Sequence, residues 1–95
     1  MAIRIIIDRK VKKGKEAEFA NLVKQVRSKS IFARGYISGE IIRNVSDHQN
    51  YIVISAWESV AEWQEYEELA ETKKVHARME KLMARPTKVK IYEHA

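Results

Sequence analysis

The sequence predicts a single α+β domain of the ferredoxin-like class, a βαββαβ sandwich spanning residues 1–95. Three observations predict it: a β-branched opening segment, a stripe of apolar residues at helical spacing behind it, and two strand-like runs around a polar turn that lead into a second helical region.

The first strand is read at Ile3 to Ile7, where β-branched residues end at polar Asp8 and Arg9, and both of its faces read as buried. After Gly14, the residues Phe19, Leu22, Val23 and Val26 fall at i, i+3, i+4 and i+7, one stripe of a helix of about 15 residues whose opposite face carries Lys15, Glu18, Lys24 and Arg27. Gly35 to Arg43 has strand composition, and its two glycines allow a bend or the close approach of a ligand. The polar stretch Asn44 to Asn50 reads as a turn, and Tyr51 to Trp57 as the strand that completes a hairpin. Ser59 followed by Glu62 forms a capping box, so a helix starts at Val60 with Trp63, Tyr66 and Leu69 on its inner side. Thr72 reads as the cap of a further segment carrying Val75, Met79, Leu82 and Met83, either as a kinked continuation or as a separate helix. Pro86 ends it, and Lys88 to Tyr92 alternates polar and apolar as an edge strand does.

Right-handed crossovers place this order in one antiparallel sheet with the helices on one face. Apolar residues nevertheless point to both faces, Ile6 opposite Ile5 and Ile7 on the first strand, and Ile52 and Ile54 opposite Val53 and Trp57 on the third. A second copy docking sheet on sheet is the economical cover, so a homodimer is expected.

Composition narrows the function classes. With 45% hydrophobic and 33% charged residues, the chain is read as a soluble protein with a core. Ile5 to Ile7 is too short for a membrane span or a signal sequence, and a cytoplasmic location without a membrane partner is expected. The absence of cysteine excludes thiolate nucleophiles and cysteine-based metal centres. His48, His76 and His94 lack metal-ligand spacing, and Gly14, Gly35 and Gly39 fit no phosphate-binding loop, so no metal, flavin or nucleotide is expected. A net charge of +5 raises nucleic acid as a partner. The basic residues, however, gather in Arg9 to Lys15 and Arg85 to Lys90, which read as solvated connections. Aromatic stacking positions are also missing from Tyr51 to Trp57, and no nucleic acid is expected.

The stretch Tyr51-Ile52-Val53-Ile54-Ser55-Ala56-Trp57-Glu58-Ser59, followed by Trp63 and Tyr66, resembles the hallmark of antibiotic biosynthesis monooxygenase domains. Val11 to Gly14 with Glu16, and Gly35-Tyr36, resemble that family's approaches to its first helix and second strand. The resemblance implies a dimeric α+β barrel formed by sheet-to-sheet docking. It also implies one of two chemistries: cofactor-independent oxygenation of phenols, anthrones or hydroquinones, or oxidative degradation of heme. Heme degraders use an Asn on the first strand, a Trp on the second helical region and a His ligand further along; the His position coincides with His76, the Trp position falls near Tyr66, and Ile7 and Asp8 stand where an Asn would be needed.

On this reading His76, at the border of the apolar stripe, is the candidate base toward a phenol, or the ligand of heme iron should heme be the cofactor. Tyr66 is expected to present its hydroxyl at the mouth of the pocket, and Trp57 and Trp63 to give flat walls for a small aromatic ligand. Phe19, Val23 and Met79 are expected as lining, and Asp8 or its neighbour Arg9 as a charged group over the pocket. A binding module without catalysis is the third reading.

Overall fold

Alternation along the first strand organises the molecule. In the computed structural model, which describes residues 2–95, β1 (Ile3–Lys10) turns Ile3, Ile5, Ile7 and Arg9 to one face, all buried, and Arg4, Ile6, Asp8 and Lys10 to the other. α1 (Glu16–Ser30), β2 (Tyr36–Arg43), β3 (Asn50–Trp57), α2 (Val60–Glu67), α3 (Ala70–Lys81) and β4 (Lys88–Glu93) follow. The strands form one antiparallel sheet in the order β2-β3-β1-β4, so β3 is inserted between β1 and β2 and the ferredoxin-like topology is complete. Register sets Ile3 opposite Trp57, Ile5 opposite Ser55 and Ile7 opposite Val53 on the face that the helices cover. Among the described residues, no helix is long and apolar enough to cross a membrane.

Two apolar clusters fill the space between helices and sheet. Phe19 and Leu22 of α1 pack with Val11, Met79, Leu82 and Met83, while Tyr66 of α2 packs with Ile3, Ile5, Ile7 and Trp57. Val23 and Val26, on the same helical stripe, stay half-buried because a cleft opens beside them.

Local chemistry explains the helix boundaries. Ser59 caps α2, its hydroxyl accepting from the Glu62 amide at 3.2 Å and donating to the Glu62 carboxylate at 3.0 Å. Leu69, extended at φ −61° and ψ 135°, then interrupts the chain, so α2 and α3 are separate helices. The cap expected at Thr72 is not there: α3 begins at Ala70 behind Leu69, and Thr72 is a buried residue inside the helix. β2 carries a bulge between Tyr36 and Ser38 that brings the Tyr36 hydroxyl over Gly39, where an added Cβ would lie 2.6 Å from it. The close approach that requires a glycine here comes from the protein's own tyrosine.

The basic segments are also placed differently from the sequence reading. Arg9 and Lys10 belong to β1, Lys88 and Lys90 to β4, and Arg9 is buried at 6% exposure instead of being solvated.

Candidate active site

The cleft forms where the two apolar clusters meet, between α1 and the α2–α3 pair above the sheet, and measures about 650 Å³ with its mouth included. β1 supplies Ile7 and Arg9, α1 supplies Val23 and Val26, and β3 supplies Val53 and Trp57. The break at Leu69 lets two helices contribute from different directions: Trp63 and Glu67, one turn apart on α2, and His76 and Met79 on α3. The lining is largely apolar with a few convergent polar groups.

His76 is held by a carboxylate. Its Nδ1 lies 3.1 Å from Oε2 of Glu67, with both side chains about three-quarters buried. An acceptor at Nδ1 keeps the hydrogen on that nitrogen and leaves the lone pair on Nε2, which is the arrangement a general base or a metal-ligating imidazole needs.

Trp57 is fixed from three sides. Its indole N–H donates to the Ser55 hydroxyl at 3.1 Å, Tyr36 meets it edge-on at 5.4 Å between ring centres, and Tyr66 packs at 5.2 Å. It is a rigid wall, whereas half-buried Trp63 stands at the junction with a second hollow between α3 and β4. Arg27, at the cleft edge, donates to the Gly39 carbonyl at 3.1 Å and so links α1 to β2.

Of the residues singled out from the sequence, His76, Trp57, Trp63, Val23 and Met79 come together in this cleft. Three others stand elsewhere. Tyr66 is buried, and its hydroxyl donates to the Val26 carbonyl at 3.4 Å instead of facing the mouth. Burial pushes its pKa up, opposed by hydrogen bonds to Thr72 and Ser30. Phe19 lies in the other core cluster, 5.1 Å from the Tyr51 ring. Asp8 points to the opposite face of the sheet, accepting from Asn50 at 2.7 Å and from Arg85 at 3.2 Å, because even positions of β1 face away from the helices.

Arg9, the other half of that strand end, does face the cleft. Burial lowers its pKa, with the charges of Glu80 and Glu67 pulling the other way, and its Nε finds no hydrogen-bond partner. Glu67 has no part in the sequence reading of the site. The one available signal was its i+4 spacing from Trp63.

The heme-degrading set is not assembled. Nε2 of His76 suits iron, but no asparagine lines the cleft, and the residue near the tryptophan position is the buried Tyr66.

Comparison with known proteins agrees with this architecture. A conserved protein from Methanosarcina mazei Go1 superposes with a TM-score of 0.95 at 19% identity, covering 100% of this chain and 94% of that one. A structure described as a putative antibiotic biosynthesis monooxygenase from Nitrosomonas europaea gives 0.91 at 20% identity, covering 98% and 89%. SnoaB, a cofactor-independent oxygenase from Streptomyces nogalater, gives 0.89 at 12% identity, covering 99% and 93%. No protein of curated function matches the sequence. The family model described as antibiotic biosynthesis monooxygenase matches residues 2–78. That match runs from β1 through the part of α3 that carries His76, taking in every cleft residue named above except Met79, and the chain belongs to the antibiotic biosynthesis monooxygenase family.

Proposed function

We propose that the protein is a monooxygenase that uses dioxygen, without a cofactor, on a small electron-rich aromatic of phenol, hydroquinone or anthrone type. The observation that carries this reading is the Glu67–His76 pair, 3.1 Å apart, at a cleft walled by Trp57 and Trp63. Family membership and the likeness to a cofactor-independent oxygenase support it.

The chemistry asks little of the protein beyond a base and a dry, flat slot. With the aromatic ring against the tryptophans, Nε2 of His76 takes the phenolic proton, and Glu67 at Nδ1 stabilises the imidazolium that forms. The resulting anion gives one electron to dioxygen, and the radical and superoxide combine to form a carbon–oxygen bond. The peroxide anion takes the proton back from His76. Loss of the ring hydrogen together with the distal oxygen, as water, leaves a quinone-type carbonyl. One oxygen atom is retained, the other leaves as water with two substrate hydrogens, and the substrate supplies all four electrons that reduce dioxygen. The apolar walls keep water from competing for the proton and the peroxide.

Oxygen uptake with anthrone and a panel of hydroquinones tests this. The wild type is expected to consume one dioxygen per quinone formed, His76→Ala to lose about 100-fold or more in kcat, and Glu67→Gln about tenfold. A hemin titration runs in parallel. A stoichiometric Soret shift that disappears in His76→Ala, with no aromatic turnover, would replace this reading with heme chemistry.

The working unit on this reading is a homodimer. Ile6, Ile42, Ile52, Ile54 and Tyr92 lie on the sheet face that no helix covers, and Ile42 and Tyr92 are 47% and 51% exposed. An apolar patch of this kind, bordered on the same face by Arg4, Asp8, Glu40 and Lys90, is what an isologous sheet-on-sheet contact buries.

A further inference from the structure

Two cationic side chains line the cleft; Arg27 is bonded to the Gly39 carbonyl, and the proposed oxidation gives Arg9 no task. Arg9 is 6% exposed, its Nε is buried without a partner, and it lines both the main cleft and the adjoining hollow between α3 and β4. A buried guanidinium is costly unless something completes its hydrogen bonds. The groups packed around it do not do so. Glu67 of α2 is engaged by His76, Glu80 of α3 by the Thr87 hydroxyl, and β4 offers Thr87 and Val89. The two carboxylates act on Arg9 through their charge and not through a hydrogen bond. Two other cations near this end of the sheet are already paired, Lys10 with Asp47 and Arg85 with Asp8.

We infer that Arg9 is a carboxylate-recognition residue, and that the aromatic admitted to this cleft carries a carboxylate. The inference rests on the aromatic-oxidation reading above and names its substrate class more narrowly. Position supports it. Arg9 follows Ile7 on the same face of β1, so a ring lying over Ile7, Val53 and Trp57 places a ring substituent next to the guanidinium. The planar fork of arginine matches the two oxygens of a carboxylate. The group is a monoanion at most, since the carboxylates of Glu67 and Glu80 already act on the guanidinium and would repel the second charge of a phosphate. Such a group also anchors the ring, so that the hydroxyl facing Nε2 of His76 is set by the distance between the two substituents.

Binding measured without oxygen separates this inference from the chemistry. Both tryptophans of the chain, Trp57 and Trp63, line the cleft, so their fluorescence reports occupancy directly. The probes are 1-hydroxy-2-naphthoate and its methyl ester, which differ at the carboxyl group alone. The wild type is expected to bind the acid about tenfold or more tightly than the ester. In Arg9→Met the two affinities should fall within about twofold of each other, and Arg9→Lys should keep part of the preference. Equal affinity for acid and ester in the wild type overturns the inference without any variant, and so does a preference that survives in Arg9→Met. If the ester binds as well as the acid and is oxidised in air, the carboxylate inference falls while the oxygenase reading stands. If the acid is preferred through Arg9 but neither compound consumes oxygen, the oxygenase reading falls and the carboxylate site stands.

Discussion

A phenol enclosed in a protein core resists ionisation. The hydroxyl of Tyr66 is closed in by Val26, with Thr72 and Ser30 near, and burial raises its pKa above the ordinary 10.0. The unfolded chain therefore loses this proton at lower pH than the folded one, and the folded state loses stability as pH rises from about 10 toward the raised value. Tyr66→Phe is expected to flatten that alkaline decline in urea denaturation midpoints compared between pH 9 and pH 11, at the cost of one hydrogen bond. The same residue shows how far single positions could be read from sequence. Trp57 and Trp63 were legible as cleft walls because strand end and helix stripe both aim them inward. Tyr66 shares that stripe, but the sequence does not say that its hydroxyl meets a carbonyl of α1. Arg9 lay in plain alternation with Ile3, Ile5 and Ile7, and the parity of β1 alone separates it from Asp8. Charge at a strand end was taken as solvation, and parity was the better guide.

At the level of elements, the segment from Trp57 to Leu69 decides the geometry of the site. Ser59 starts α2 by reciprocal bonds with Glu62, and Leu69 ends it, so Trp63 and Glu67 approach the cleft from one helix and His76 from the next. Ser59→Ala removes the cap and is expected to cost about 1 kcal/mol. In a domain of this size that lowers Tm by roughly 4–8 °C, measurable by calorimetry. The strand and helix order was legible throughout because periods of 2 and 3.6 are both strong here. The α2–α3 break was legible only as one of two alternatives and with its cap at Thr72, since Leu69, the residue that makes it, fits either helix by composition. Without that break the Glu67–His76 pair, nine positions apart, has no reason to be predicted.

For the molecule as a whole, the uneven treatment of the two sheet faces is the dominant fact. Helices bury Ile3, Ile5, Ile7 and Trp57, while Ile6, Ile52 and Ile54 on the reverse are only half-covered. Sedimentation of the purified protein is expected to give twice the 11.1 kDa chain mass. Ile54→Lys, which touches the uncovered face and leaves the helix side intact, is expected to shift the mass to that of a single chain without loss of helical circular dichroism. The expectation of a partner comes from the sequence, where apolar residues stand at both parities of β1 and β3, and the sedimentation result decides it.

β4 carries a different consequence. It is an edge strand exposed along its whole length, with Val89 and Ile91 on one side and Lys88 and Lys90 on the other. An edge of this kind is an open end to which further strands can add without limit. Lys88 and Lys90, two positions apart, make each such addition set like charges against each other, so ribbon-like growth is discouraged at the step where it would begin. The alternation that marks β4 as a strand thus also works against open-ended pairing along this edge.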